Sequence, residues 1–376
     1  MQTFRLRLAI VALVASALMG NVPARAEVPF PAQAPGIPYP TATWPEVAPG
    51  SVLRRSVDGR IAAVLGAPKG ALARTKALLV VHGGQIVGEW YGSAITRDTR
   101  LQSWSVAKSM LHAALGLAIV DGRVDPSKPL IAPEWQSPGD TRRSITVLQL
   151  AQMTDGLGFD ENYGDPGSHA MQMLFGSGSG DVGSSAARAR LAHQPGTHWS
   201  YSSGSANILS RYLRDRLGGG KAYARFLRQR LLDRLGMRSA VPEFDAAGTW
   251  IGSSYVHATA RDYARFGLLY LRGGVWNGEQ LLPRDWVERA RTPTMASRGE
   301  YGALFWLNAP DPDSGKAAIS ARLPEDLFLA RGFGGQIVAI IPSRDAVVVM
   351  LNANYADDPS PVVDLVATIL DLLPSS

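Results

Sequence analysis

No cysteine occurs among the 376 residues, so disulfide staples and cysteine-ligated zinc are excluded at once. Charge is sparse: Asp, Glu, Lys and Arg make up 19% of the chain against 46% hydrophobic residues, too much apolar material for a disordered chain. Glycine is frequent but has no three-residue period, which excludes a collagen-like helix. No G-x-x-x-x-G-K-[ST], dinucleotide fingerprint or H-E-x-x-H occurs, so phosphate-loop, nicotinamide and zincin chemistry find no support, and neither cofactor nor metal is expected.

What is present begins with an export segment. Arg5 and Arg7 precede an apolar run from Leu8 to Met19, and Ala24-Arg25-Ala26 forms a small-x-small cleavage site. Twelve residues are too few to cross a hydrocarbon core, which needs about 20. Residues 1–26 therefore read as a signal peptide cut after Ala26, with a soluble periplasmic or secreted product and no stable membrane insertion. Removing its three arginines takes the formal charge from +6 to +3. Basic residues gather between Arg211 and Arg238, but Asp215 and Asp233 interrupt them, and Leu213, Leu217, Phe226, Leu231 and Leu235 supply an apolar face. That pattern is a solvated helix surface, with no nucleic-acid partner expected.

Residues 27–50 hold seven prolines, which favours an extended arm. Ala77 to Tyr91 reads as two strands around Gly83-Gly84, a hairpin with His82 beside its turn. Ser105 to Val120 has helical spacing, and Thr146 with Gln149 forms a capping box. Gly156 to Ser185, rich in Gly, Ser and Asp, reads as a long loop. Helices are expected near Ala206 and over Arg261–Leu271 after a Thr259 cap, strands over Tyr301–Leu307, Gln336–Ile341 and Ala346–Asn352, and a last helix over Pro361–Leu373. Strands at both ends can share one antiparallel sheet only if the helical middle is inserted beside it. The expected fold is α+β: a sheet lobe from residues 51–100 and 295–376 flanked by helices, and a helical lobe from 101–294, together one domain over 51–376.

Three segments could do chemistry. Ser105-Val106-Ala107-Lys108 opens the apolar helix and puts Lys108 one turn beyond Ser105 on the same face. An amine can take the hydroxyl's proton if desolvation lowers its pKa; the ordinary alternative is a helix cap with a surface lysine. Tyr201 lies in HWSYSSG before a helix, where a phenol near an ammonium becomes easier to ionise and could shuttle a proton; a structural tyrosine is the plainer reading. Arg331-Gly332-Phe333-Gly334-Gly335-Gln336 marks either close approach of a ligand at a strand or a simple bulge.

Taken together in this order and spacing, these motifs resemble the serine β-lactamase and penicillin-binding-protein superfamily, in particular its class C-like branch of esterases, D-alanyl-D-alanine peptidases and 6-aminohexanoate-dimer hydrolases. Ser105 and Lys108 match S-x-x-K, Tyr201 and Ser203 match Y-x-N or Y-x-S, and Phe333-Gly334-Gly335 matches the K-T-G or H-x-G strand. VLQLAQMTDGL and SSYVHATARDYARFGLLYL resemble further segments of that branch. The resemblance implies that Ser105 attacks a carbonyl, that Lys108 and Tyr201 handle protons, and that an acyl-enzyme forms in an oxyanion site built from the amides of Ser105 and Gln336. It also implies that Phe333, Gly334, Gly335 and Ser203 contact substrate. No glutamate stands in the class A deacylation pattern, which leaves Tyr201 to activate water.

Phe333 departs from the family's Lys or His and can neither donate a hydrogen bond nor balance a carboxylate. Arg331 could supply that charge if it shares the facing direction of Phe333. With Trp104, Tyr163, Phe175 and Trp306 as expected walls, the substrate implied is a small apolar ester or linear amide. A β-lactamase or D-alanyl-D-alanine peptidase is the second reading, and a non-catalytic peptidoglycan- or peptide-binding module the third.

Overall fold

The computed structural model describes residues 28–66, 72–130, 132–352 and 360–374; the expected export segment lies outside them. Six strands form the main antiparallel sheet: β1 (Ala77–His82), β2 (Gln85–Tyr91), β3 (Trp306–Leu307), β4 (Phe328–Gly332), β5 (Gln336–Ile341) and β6 (Ala346–Leu351). Their order is β2-β1-β6-β5-β4-β3, so the first and last strands of the chain pair at the centre of the sheet, Val80 opposite Val348. The fold is α+β, with the segment between β2 and β3 mostly helical.

Every residue of β5 and β6 is buried, and their apolar runs are continuous, because both faces of the sheet are covered. On one face Leu78, Val80, Val348 and Met350 meet helices α1 (Val52–Leu65) and α5 (Ser360–Leu372). On the other, Leu79, Val81, Val347 and Val349 join the core of the helical segment, which contains α2 (Val106–Val120), α3 (Ser203–Leu217) and α4 (Ala260–Leu271). Helix α4 lies on the sheet through Gly267, where a Cβ would stand 2.6 Å from Val347 Cγ1 and 2.9 Å from Val338 Cγ1.

The extended arm crosses α4 and the chain beyond it. Trp44 Nε1 donates to Arg261 O, Arg265 Nε to Pro40 O, and the Arg291 guanidinium sits 3.9 Å from the Phe30 ring centroid. The capping residues work as expected: Thr146 and Gln149 form the reciprocal box, and the Thr259 side chain accepts from Asp262 N. Arg211, Arg214 and Arg230 are paired with Glu134, Asp215 and Asp121 at 2.6–2.7 Å.

Among the elements that differ from expectation, three bear on the sheet and the site. Helix α1 was not anticipated; Ser51 caps it, and Val57, Ile61 and Leu65 form its buried stripe at four-residue spacing. The stretch 156–185 is not all loop: His169–Phe175 and Val182–Ala187 are helical, capped by Ser168 and Asp181 and anchored by buried Met173 and Val182. The expected strand over Tyr301–Leu307 shrinks to β3, because Leu304 takes φ +56° and Gly302 lies against the Ala290 carbonyl, so the chain turns back on itself.

Candidate active site

The nucleophile candidate sits on a strained corner. Ser103 ties the chain to a neighbouring strand, donating its hydroxyl to Ser254 O and accepting from Val256 N. Trp104 then takes φ +45°, a left-handed conformation uncommon for a bulky residue, and α2 starts at once. Ser105 occupies the cap position, but its side chain makes no cap hydrogen bond. The hydroxyls of Ser51, Thr146, Ser168, Ser202 and Thr259 do cap their helices. The Ser105 hydroxyl is instead engaged by Lys108, whose Nζ donates to Ser105 Oγ at 2.9 Å, Ser203 Oγ at 2.9 Å and Ser253 O at 3.0 Å. Lys108 is 1% exposed. Both halves of the ordinary alternative, a capping serine and a surface lysine, are therefore absent.

Burial lowers the Lys108 pKa from 10.5 to about 8, against the opposing pull of the Glu161 carboxylate. Helix α3 begins at Ser203 and carries Tyr201 just ahead of it, placing the phenol ring centroid 4.8 Å from Lys108 Nζ. The expected easing of Tyr201 ionisation does not occur. Burial and then the charge of Glu161 raise its pKa, outweighing a hydrogen bond with Ser105 and the positive charge of Arg331. Tyr201 is thus held as the neutral phenol.

Ser203, expected at the substrate, is fully buried and does not line the cavity. It bridges Lys108 to a residue that the sequence did not reveal: the Ser203 hydroxyl donates to Glu161 Oε1 at 2.5 Å and the Ser203 amide to Glu161 Oε2 at 2.8 Å. Tyr163 OH donates to Glu161 Oε1 at 2.8 Å. Glu161 lies 42 residues from Ser203 in a polar loop, and no local spacing pattern links them.

A cavity of about 470 Å³ opens over Ser105, lined by Trp104, Glu161, Tyr163, Phe175, Tyr201, Trp306 and the Arg331–Gly335 segment, among others. All four expected aromatic walls contribute. Trp306 lies against Tyr201 with ring centroids 5.2 Å apart, and the Phe333 ring meets Trp104 edge-on at 5.6 Å. Phe333 is 70% exposed, beyond the end of β4. Arg331 shares the cavity wall with it, its guanidinium 5.4 Å from the Trp306 centroid. Gly334 and Gly335 have φ +70° and +76°, so the turn itself requires glycine at both positions. Gln336 lies behind the turn, fully buried, with its side-chain amide directed at Phe333 O and Gly334 O at 3.4 Å. Gly332 is the residue of this segment that approaches Ser105: a Cβ there would stand 3.0 Å from Ser105 N and 2.4 Å from Ser103 O. Among the described residues no cluster of His, Asp and Glu could hold a metal, and no helix is long and apolar enough to cross a membrane.

Residues 70–368 match the family model described as Beta-lactamase. A 6-aminohexanoate-dimer hydrolase of Paenarthrobacter ureafaciens is 29% identical over 222 residues, covering 57% of this chain and 56% of the relative, so the match spans little more than half of that protein's length. A provisionally named 6-aminohexanoate-dimer hydrolase of Bacillus anthracis shares the fold with a TM-score of 0.68 at 22% identity, covering 90% of this chain and 91% of the other. A family VIII carboxylesterase does so with a TM-score of 0.64 at 14% identity, covering 86% and 98%.

Proposed function

The chain belongs to the beta-lactamase family, and from that premise we propose that it is a serine hydrolase cleaving ester or linear amide bonds through an acyl-enzyme on Ser105. One observation carries the reading: a buried amine with a lowered pKa lies 2.9 Å from a serine hydroxyl that caps nothing. Neutral Lys108 takes the Ser105 proton as Oγ attacks the carbonyl. Tyr201, a phenol held neutral beside both groups, donates its proton to the leaving group and is refilled from the Lys108 ammonium. Water then attacks the acyl-enzyme, its proton passes to Lys108, and Lys108 returns a proton to Ser105 Oγ as the acid leaves. The Ser105 amide at the start of α2, with an amide of the 332–336 turn, would receive the oxyanion; the close approach of Gly332 supports that pairing.

The aromatic walls and the exposed Phe333 favour an apolar acyl group over the carboxylate of a penicillin, and the choice of ester or linear amide follows the carboxylesterase and 6-aminohexanoate-dimer hydrolase names among the similar proteins. Hydrolysis of a short p-nitrophenyl ester compared with a chromogenic cephalosporin tests this, and a strong preference for the cephalosporin would refute it. A binding module without turnover is tested by fluorophosphonate labelling: folded protein carrying no adduct on Ser105 would leave only that reading. Export after cleavage at Ala26 completes the proposal, to be checked by the N-terminal sequence of the mature protein.

A further inference from the structure

Glu161 is the negative charge closest to the chemistry in the hydrogen-bond order, yet no step above uses it. The Ser203 hydroxyl has one proton, and Glu161 Oε1 at 2.5 Å can only accept, so that proton is committed to Glu161. The lone pairs of Ser203 Oγ are then left to receive an N–H from Lys108 at 2.9 Å. Ser253 O, held by its backbone, receives a second N–H at 3.0 Å. Asn207 fixes that neighbour, its Oδ1 accepting from Ser253 N at 3.1 Å. A neutral amine has two N–H bonds and one lone pair. With both N–H bonds placed, the lone pair faces its remaining partner, Ser105 Oγ.

We propose that Glu161 is a positioning residue that, through Ser203, turns the Lys108 lone pair toward Ser105 and balances the Lys108 charge. The proposal rests on the reading of Ser105 and Lys108 as nucleophile and base. The groups around Lys108 make Glu161 distinctive. Tyr201 is a neutral phenol, and His112, one turn further along α2, is held neutral by burial. Asp155 is engaged by Ser205 on α3, and Arg331 on β4 acts on Tyr201 with positive charge. Glu161 is the group whose charge raises the Lys108 pKa against burial.

Two effects should therefore separate in Glu161→Gln. Losing the carboxylate lowers the Lys108 pKa further, so the acid limb of the rate profile moves to lower pH by roughly one unit, the lower end of what an adjacent opposite charge supplies. A glutamine can donate to Ser203, freeing the Ser203 proton to claim the Lys108 lone pair, so the plateau rate falls by about tenfold or more. A general structural defect would lower the plateau without moving the limb acidward.

The experiment measures the second-order rate of fluorophosphonate labelling at Ser105 from pH 5.5 to 10 in the wild type, Glu161→Gln, Ser203→Ala and the double variant. Labelling needs no knowledge of the natural substrate and reports the attack of Ser105 Oγ alone, on phosphorus with loss of fluoride. Support is an acidward limb with a lower plateau in Glu161→Gln, and a double variant whose plateau is no lower than that of Ser203→Ala, because the carboxylate orients the amine through the bridging hydroxyl. A limb and plateau like the wild type in folded Glu161→Gln, or additive losses in the double variant, would overturn the proposal. Should the wild type fail to label at Ser105, or Lys108→Ala label with the wild-type profile, the hydrolase reading falls first, independently of Glu161.

Discussion

Replacing Lys108 by methionine tests the burial argument without reference to any substrate. The side chain keeps its length and loses its charge. In an unfolded chain this lysine titrates near 10.5, and in the fold near 8. The folded pKa of a base is lowered, so the folded state binds fewer protons, and stability must rise with pH between those two values. At pH 7 desolvation of the ammonium costs about 3 kcal/mol, using ~1.36 kcal/mol per pKa unit, and at pH 9.5 the residual cost is roughly 1 kcal/mol. The stability of the wild type relative to Lys108→Met should therefore rise by about 2 kcal/mol from pH 7 to 9.5. Ionising tyrosines destabilise both proteins alike at alkaline pH and cancel in the difference. Guanidinium unfolding followed by tryptophan fluorescence at the two pH values, with equal slopes for both proteins, gives the number. A difference that stays flat over this range would mean that Lys108 titrates as an ordinary lysine, and the proposed base would be lost with it. The same shift leaves roughly a tenth of the amine neutral at pH 7, against a few parts in ten thousand for an unburied lysine. The variant should accordingly lose about 10² to 10⁴ in ester hydrolysis.

Ser105→Ala should abolish turnover while the melting temperature is held, since the hydroxyl caps nothing; residual hydrolysis well above background would point to another nucleophile. Gly332→Ala places a methyl against two backbone atoms that cannot rotate away, so a loss of about 1–3 kcal/mol in stability is expected, together with slower Ser105 labelling. Wild-type melting and labelling in that variant would show that the approach of β4 to Ser105 is looser than the geometry requires. Phe333→Ala, at an exposed position, should change stability by less than about 0.5 kcal/mol and raise KM for an aromatic acyl ester several-fold. An unaltered KM would remove Phe333 from the substrate wall.

Much of the fold was readable because local signals agreed with tertiary structure. The Gly83-Gly84 hairpin, the Thr146–Gln149 box and the Thr259 cap each reside within a few residues, and the last two main strands flank a turn that Pro342 and Asp345 announce. Helix α1 carried the same kind of signal in Ser51 and the Val57–Ile61–Leu65 stripe, obscured by its weak overall amphipathicity and its place after a proline-rich arm. The site was legible only where it is contiguous. Ser105 and Lys108 share one turn, but Glu161 reaches them only because α3 starts at Ser203, and no spacing along the chain encodes a contact across 42 residues. The raised pKa of Tyr201 was beyond the sequence for a similar reason: it depends on burial and on Glu161, neither of which its neighbours in HWSYSSG reveal.

The few residues around Ser105 break three local rules at once. Trp104 is left-handed without being glycine, α2 starts without a side-chain cap, and its first turn buries an ammonium. The first two departures each cost on the order of 1 kcal/mol or more, and the third about 3 at neutral pH. The first two are not relieved where they occur, since Gly332 is pressed against Ser105 rather than making room and the hydroxyl that could cap the helix is held by Lys108; the third is offset only in part, by the hydrogen bonds of Lys108 and the charge of Glu161. They persist because α2 is buried along nearly its whole length between the sheet and the helical segment, so the surrounding core over-determines its position. A sequence selected for stability alone would let the serine cap the helix, as hydroxyls do at other helix starts in this chain, and would place an apolar residue where Lys108 is buried. The uncapped hydroxyl, the left-handed corner and the desolvated amine together fit the acylating serine proposed above, and their coincidence is the physical reason to propose the chemistry at this corner rather than elsewhere along the cavity wall.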